Sequence, residues 1–138
     1  MKREIKFRAW DVANKLMYMP EAISHITFGH TDWNMIYTKT GTPASWGKKY
    51  PGEEIKLMQF TGLKDKKGKD IYEGDILKLQ YPLNYGFAGI HNKELIVSIT
   101  FDNGCFWFSG EGHTDCNWHH YDEYEVIGNI YENPELLK

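Results

Sequence analysis

Lys56-Leu-Met-Gln-Phe-Thr-Gly-Leu-Lys-Asp-Lys-Lys-Gly-Lys-Asp-Ile-Tyr-Glu-Gly-Asp-Ile-Leu-Lys-Leu79 is the stretch on which the fold is decided. Two short apolar runs, 55–60 and 76–81, flank a lysine-rich turn at Asp65-Lys66-Lys67-Gly68. A second tight turn, Tyr72-Glu73-Gly74-Asp75, stands directly before the second run. Gly74 takes a positive φ at no steric cost, and Asp75 can bond back to the backbone, which suits a sharp entry into a strand. Runs this short, bounded by turns, read as strands of a small, strongly bent barrel. The passage specifies a structure and contains no chemistry for a reaction.

Outward from this stretch the pattern stays β. Upstream, Ile5, Phe7 and Ala9 alternate with Lys6, Arg8 and Trp10, as a half-buried strand does. Residues 16–19 can return as its hairpin partner, and 22–28 are rich in strand formers. The segment 32–51 mixes Gly, Pro, Thr and Lys with the isolated aromatics Trp33, Trp46 and Tyr50. It reads as a long, mobile loop holding one short strand at 35–38, and loops of that length often carry function. Downstream, Asn103-Gly104 joins the runs 95–101 and 105–109, the strongest hairpin signal in the chain. The segment 82–94 is a Gly-containing excursion, and 124–130 is the closing strand. Asn133-Pro134 then suits the N-cap and first position of a last helical turn.

Composition bounds the class. With 138 residues, 41% hydrophobic and 25% charged, the chain fits one globular domain and excludes a disordered one. Aromatics reach 15%, in keeping with a small core filled by large side chains. No apolar run approaches membrane-spanning length, and the basic start Met1-Lys-Arg lacks the apolar stretch of a signal peptide. The expectation is a cytoplasmic protein with no membrane contact and with Cys105 and Cys116 reduced. The net charge of −3 conceals a split: residues 1–69 sum to +6 and residues 70–138 to −9. Within one fold the halves neutralise each other; between chains they favour a head-to-tail homo-oligomer.

Two clusters could carry chemistry. Cys105, His113, Cys116, His119 and His120 put five soft ligands within sixteen residues, and His113-x-x-Cys116-x-x-His119 is a workable zinc spacing. No CxxC pair accompanies them, and isolated cysteines in β-proteins mostly serve as small buried hydrophobes. The second cluster, the candidate partner-binding residues, joins Trp33, Trp46, Lys48, Lys49 and Tyr50 to the turn lysines Lys66 and Lys67. Basic groups bind phosphates and aromatics stack on unpaired bases, whereas the plainer reading makes the aromatics anchors and the lysines solvated turn residues. No nucleophile elbow, P-loop, HExxH or paired-carboxylate pattern occurs. The acids Asp65, Asp70, Glu73 and Asp75 are each explained locally by turns.

Three blocks carry a family resemblance. The signature Gln59-Phe60-Thr61-Gly62-Leu63-x-Asp65-x-x-Gly68-x-x-Ile71-Tyr72-Glu73-Gly74-Asp75-Ile76 resembles that of the YopX family of phage and prophage proteins. The opening Arg3-Glu-Ile-Lys-Phe-Arg-Ala-Trp-Asp11 and the closing Glu125-Val-Ile-Gly-Asn-Ile-Tyr-Glu-Asn-Pro-Glu-Leu-Leu137 agree with it, in order. The resemblance implies a mainly β chain with an SH3-type small barrel in the C-terminal part and a phage or prophage origin in a bacterial host. It implies no catalytic residues. Combined with the residues, it divides the chain into an N-terminal β-region and aromatic loop, 1–54, and an SH3-like barrel core, 55–138, within one compact unit. The expected function is that of a non-enzymatic accessory protein without cofactor, binding an unknown protein partner or serving in assembly. The alternatives are a nucleic-acid-binding module using the basic front half, and a metal-dependent hydrolase centred on the Cys/His segment, for which no general base is visible.

Overall fold

The computed structural model describes residues 4–28, 33–39, 43–48, 55–80, 94–110, 113–121 and 123–138. Among them lie twelve strands and two single-turn 3-10 helices, and no α-helix, so the chain is mainly β. The strands are β1 (Phe7–Asp11), β2 (Leu16–Tyr18), β3 (Ile23–Phe28), β4 (Trp33–Thr38), β5 (Pro43–Lys48) and β6 (Ile55–Lys64). They continue with β7 (Asp70–Tyr72), β8 (Asp75–Gln80), β9 (Glu94–Asp102), β10 (Cys105–Gly110), β11 (His113–Asp115) and β12 (Glu123–Asn129). The chain divides into two compact units, Met1–Gln59 and Phe60–Lys138, with β6 running through the division.

In the first unit β1 pairs antiparallel with β2 and with the front of β6, placing Ala9 opposite both Tyr18 and Leu57. The β1–β2 turn is fixed by Asp11, whose carboxylate accepts from the Asn14 backbone N–H at 3.0 Å and from its side-chain amide at 2.8 Å. Burial and the neighbouring Asp11 charge push the Tyr18 hydroxyl above its ordinary value. A separate three-stranded sheet has the order β3-β4-β5, with Ile26 paired to Ile36, itself fully buried. The long loop expected over 32–51 is therefore largely a β-ladder: Trp33 stands on β4 and Trp46 on β5. Pro43 opens β5, the first strand position, where proline is tolerated. Lys49 and Tyr50 lie outside the described residues, as does the excursion 82–94 except for Glu94, which begins β9.

In the second unit a five-stranded antiparallel sheet, order β11-β10-β9-β8-β12, curls as half a barrel. Its concave side carries the core: Ile71, Leu77, Leu79, Leu95, Val97, Ile99, Phe106, Phe108 and Tyr121, with Leu63, Trp118, Tyr124 and Val126 packed against it. Period-two alternation selects these residues, for β9 reads buried at Leu95, Val97 and Ile99 and β10 at Phe106 and Phe108. On β8 it is Leu77 and Leu79 that join this cluster; Ile76, also fully buried, does not belong to it. On the closing strand and just after it, Val126 and Ile130 are half-buried, and Val126 packs against the core. The Asn103-Gly104 hairpin has φ of 49° and 78°, the primed turn that matches strand twist. The C-terminal turn forms as expected, Pro134–Leu137, but Asn133 does not cap it with its side chain.

Candidate functional site

The signature passage of the second unit is a polar lock. Asp65 is buried, and its Oδ1 accepts from the backbone N–H of Lys67 at 2.8 Å and of Lys69 at 2.9 Å. Its Oδ2 accepts from the N–H of Val126 on β12 at 3.1 Å. Burial alone pushes this carboxyl up, but the N–H groups of Val126, Lys69 and Lys67 outweigh it and hold the group below its ordinary value. Asp75 repeats the device: its Oδ2 accepts from the Tyr72 N–H at 2.8 Å. Between them Gly74, at φ 78°, donates its N–H to Ile99 O at 2.8 Å and accepts from Ile130 N–H at 2.9 Å. Both oxygens of Asp65 and the Oδ2 of Asp75 thus accept from backbone donors.

The turn lysines are likewise engaged. Lys66 Nζ lies 3.0 Å from Glu125 Oε2 and 3.5 Å from Glu123 Oε2, and Lys67 Nζ bonds Glu125 Oε1. The hydrogen bonds from Lys67 and then Lys66 hold the Glu125 carboxyl down at about 2. The +6/−9 split is in part cancelled here, inside one unit.

Of the remaining partner-binding candidates, the β4–β5 ladder pairs Trp33 with Lys48 and Met35 with Trp46. Three of the seven therefore meet in one hairpin, while Lys66 and Lys67 belong to the other unit. Among the metal candidates, Cys105 and Cys116 are both half-buried, and the Cys105 thiol lies 3.6 Å from Phe106 O. His119 is exposed, and its backbone N–H caps onto Asn117 Oδ1 at 3.2 Å. Among the described residues no three His, Cys, Asp or Glu side chains gather as a metal site; the side chains of His113 and His120 lie outside that description.

Sequence reasoning missed an apolar groove on the first unit. It is lined by Ile5, Phe7, Pro20, Ile23, Ile26 and Leu57, with Lys6 and Ser24 at its margin, and encloses about 500 Å³. Ile5 and Phe7 share a face of the chain leading through β1, and Leu57 sits on that face opposite Ala9. The turn after Met19, where Ala22 N–H donates to Met19 O at 2.9 Å, brings β3 alongside. Ile5 is 65% and Phe7 39% exposed, so the groove is bordered by apolar surface in water. The other margin is β3, an edge strand whose only described partner is β4. The available signal was the alternation Ile5-x-Phe7 with no covering residue nearby; it read as ordinary half-burial.

Among the described residues no helix is long and apolar enough to cross a membrane. The YopX family model matches residues 6–138. A crystal structure of protein EF1440 from Enterococcus faecalis is similar at 30% identity, covering 99% of this chain and all of that one, with a TM-score of 0.62. Protein yopX from Bacillus subtilis is similar in fold at 23% identity, covering 96% of this chain and 98% of that one, with a TM-score of 0.66. No curated protein matches. Neither the family nor either of these proteins is named for an activity. With all but its first few residues matched by the family model, the chain belongs to the YopX family.

Proposed function

We propose that this YopX-family chain is a non-enzymatic binding module, in keeping with the phage accessory role that the resemblance implies. Its groove accepts an extended apolar segment of another protein, flanked by acidic residues. The observation that carries the reading is the exposure of Ile5 and Phe7 beside the groove. The edge of β3 away from β4, unpaired among the described residues, suits strand addition, in which main-chain hydrogen bonds supply affinity and alternate side chains fill pockets. Nine Lys/Arg against six Asp/Glu in residues 1–59 favour an acidic flank, although Lys6 at the margin is itself paired with Glu4 at 3.3 Å. Co-purification from a phage-bearing host, with nuclease present, tests the reading against a Phe7→Asp variant. A partner that resists nuclease, is released by salt and is lost with Phe7→Asp supports it. A partner retained by the variant, or released by nuclease, defeats it.

A second reading, contact with single-stranded nucleic acid, is favoured by the Trp33–Lys48 and Met35–Trp46 pairings of one hairpin. Aromatic and basic positions interleaved in this way suit base stacking beside phosphates. The neutralisation of Lys66 and Lys67 by Glu125 and Glu123 weighs against it. Anisotropy with a labelled single strand decides: this reading requires binding that falls steeply with salt and loses about 1–3 kcal/mol in Trp46→Ala.

A further inference from the structure

The turn between β9 and β10 carries a reactive arrangement of its own. The ladder closes on Asp102 opposite Cys105, so the loop consists of Asn103 and Gly104, both exposed. Asn103 holds a left-handed backbone at φ 49°, and Gly104 follows at φ 78°. A side-chain carbon placed on Gly104 would meet no atom within 4 Å beyond its chain neighbours, so the main chain there is open to water. Without such a carbon, nothing on Gly104 itself hinders the approach of its backbone nitrogen to the Asn103 carboxamide.

The Asp102 carboxylate clasps that carboxamide. Its Oδ1 accepts from the Asn103 backbone N–H at 2.9 Å, and its Oδ2 accepts from Asn103 Nδ2 at 3.0 Å. Behind the clasp, Trp107 Nε1 donates to Asp102 O at 3.0 Å, and the Phe101 and Phe106 rings pack at 4.8 Å between centroids. These contacts hold the amide nitrogen toward the preceding residue. Ring closure needs the carboxamide carbon over the nitrogen of the following one, a geometry reached by local opening of the turn.

We propose that Asn103 is a site of spontaneous deamidation, with the folded hairpin as its brake and the Asp102 carboxylate as the clasp. The Gly104 backbone nitrogen, on losing its proton, attacks the Asn103 carboxamide carbon. A C–N bond forms to Gly104, the bond to Nδ2 breaks, and Nδ2 leaves as ammonia carrying the proton that the ring nitrogen lost. Water then opens the succinimide. Attack at the side-chain carbonyl gives aspartate, and attack at the main-chain carbonyl gives isoaspartate. Aspartate keeps the main chain as it was and adds a negative charge beside Asp102. Isoaspartate carries the chain through the side-chain carbons, which lengthens a loop whose size sets the register of the hairpin. The strain is then passed to β10, which supplies Phe106 and Phe108 to the core.

The full chain is aged for weeks at mildly acidic and mildly alkaline pH, folded and in urea, then digested for mass spectrometry. The peptide holding Asn103 should gain the mass difference between a carboxamide and a carboxylic acid, faster at alkaline pH and several-fold faster in urea. Enzymatic isoaspartyl methylation should label the same peptide, and Asn103→Gln should show neither change. Asp102→Ala and Asp102→Ser, each checked for folding by far-ultraviolet dichroism, should react faster than the parent chain. The isoaspartyl form, separated by ion exchange, should melt below Asn103→Asp. No gain at Asn103 in the folded chain after weeks at alkaline pH would overturn the site. Equal rates in folded and unfolded chains would overturn the brake, and Asp102 variants that react at the parent rate would overturn the clasp. Equal melting of the isoaspartyl form and Asn103→Asp would overturn the effect on register.

Discussion

The signature turn of the second unit and the groove face of the first are both short strand-and-turn arrangements, yet they spend their residues in opposite ways. In the turn the buried carboxylates of Asp65 and Asp75 meet backbone donors, Gly74 bridges to Ile99 and Ile130, and Lys66 and Lys67 face Glu123 and Glu125. At the groove Ile5 and Phe7 stand in water, and among the described residues β3 pairs on one side only. The most recognisable sequence of the chain is thus its most self-contained region. What makes the family easy to recognise secures the fold, and the surface fit to meet something else carries no comparable motif.

The contrast breaks first if the second unit does not rest on its core as described. Phe108 is fully buried against Trp118 and Tyr121, so Phe108→Ala should cost roughly 3–5 kcal/mol in chemical denaturation. A loss near zero would place the core elsewhere. The lock comes next. Asp65→Ala strands three backbone N–H groups and should cost about 2–3 kcal/mol, the scale of buried bonds to a charged acceptor.

The pH dependence sharpens the same point. Asp65 is lowered in the fold, so its contribution is fully present above the unfolded value of about 3.9 and disappears as pH falls through the lower folded value. Glu125 adds to the same acid limb, between its ordinary 4.5 and about 2. Denaturation midpoints should therefore fall with pH below about 4.5, and less steeply in Asp65→Asn. An unchanged slope in that variant would remove Asp65 from the account. Gly74→Val should cost about 1–3 kcal/mol through strain at φ 78°, measured in the same way. The smallest expected effect on stability is at the groove: Phe7→Asp should stay within about 0.5 kcal/mol of the parent chain while partner capture is lost. If it unfolds the chain instead, Phe7 belongs to the core and the contrast fails.

The legible parts of the fold were those where a local rule acts alone. Asn103-Gly104, Gly74 before Asp75, and the alternation of β9 and β10 each force one geometry, and each is found. The β4–β5 ladder was not legible. Its strands carry Thr, Pro and Gly, and Ile36 is the one residue described there as fully buried, so no alternating pattern marks it. At the candidate sites, the spacing of Cys105 and Cys116 was legible, but the β10–β11 pairing that lays Asp115 opposite Phe108 was not. The groove arises between strands distant in the chain, and no single window of residues could show it.

The bond from Asp65 to Val126 spans 61 positions of sequence. During synthesis the turn is therefore made long before its acceptor can be satisfied from β12. At ribosomal speeds of about 5–20 residues per second the delay is on the order of 3–12 s. Through that interval Leu77, Leu79 and the β9–β10 hairpin are already out of the tunnel or emerging, and the β8 margin that β12 will occupy stands open. The order of the blocks along the chain makes this a fold that latches late, and crowding by nascent neighbours acts on it during that wait.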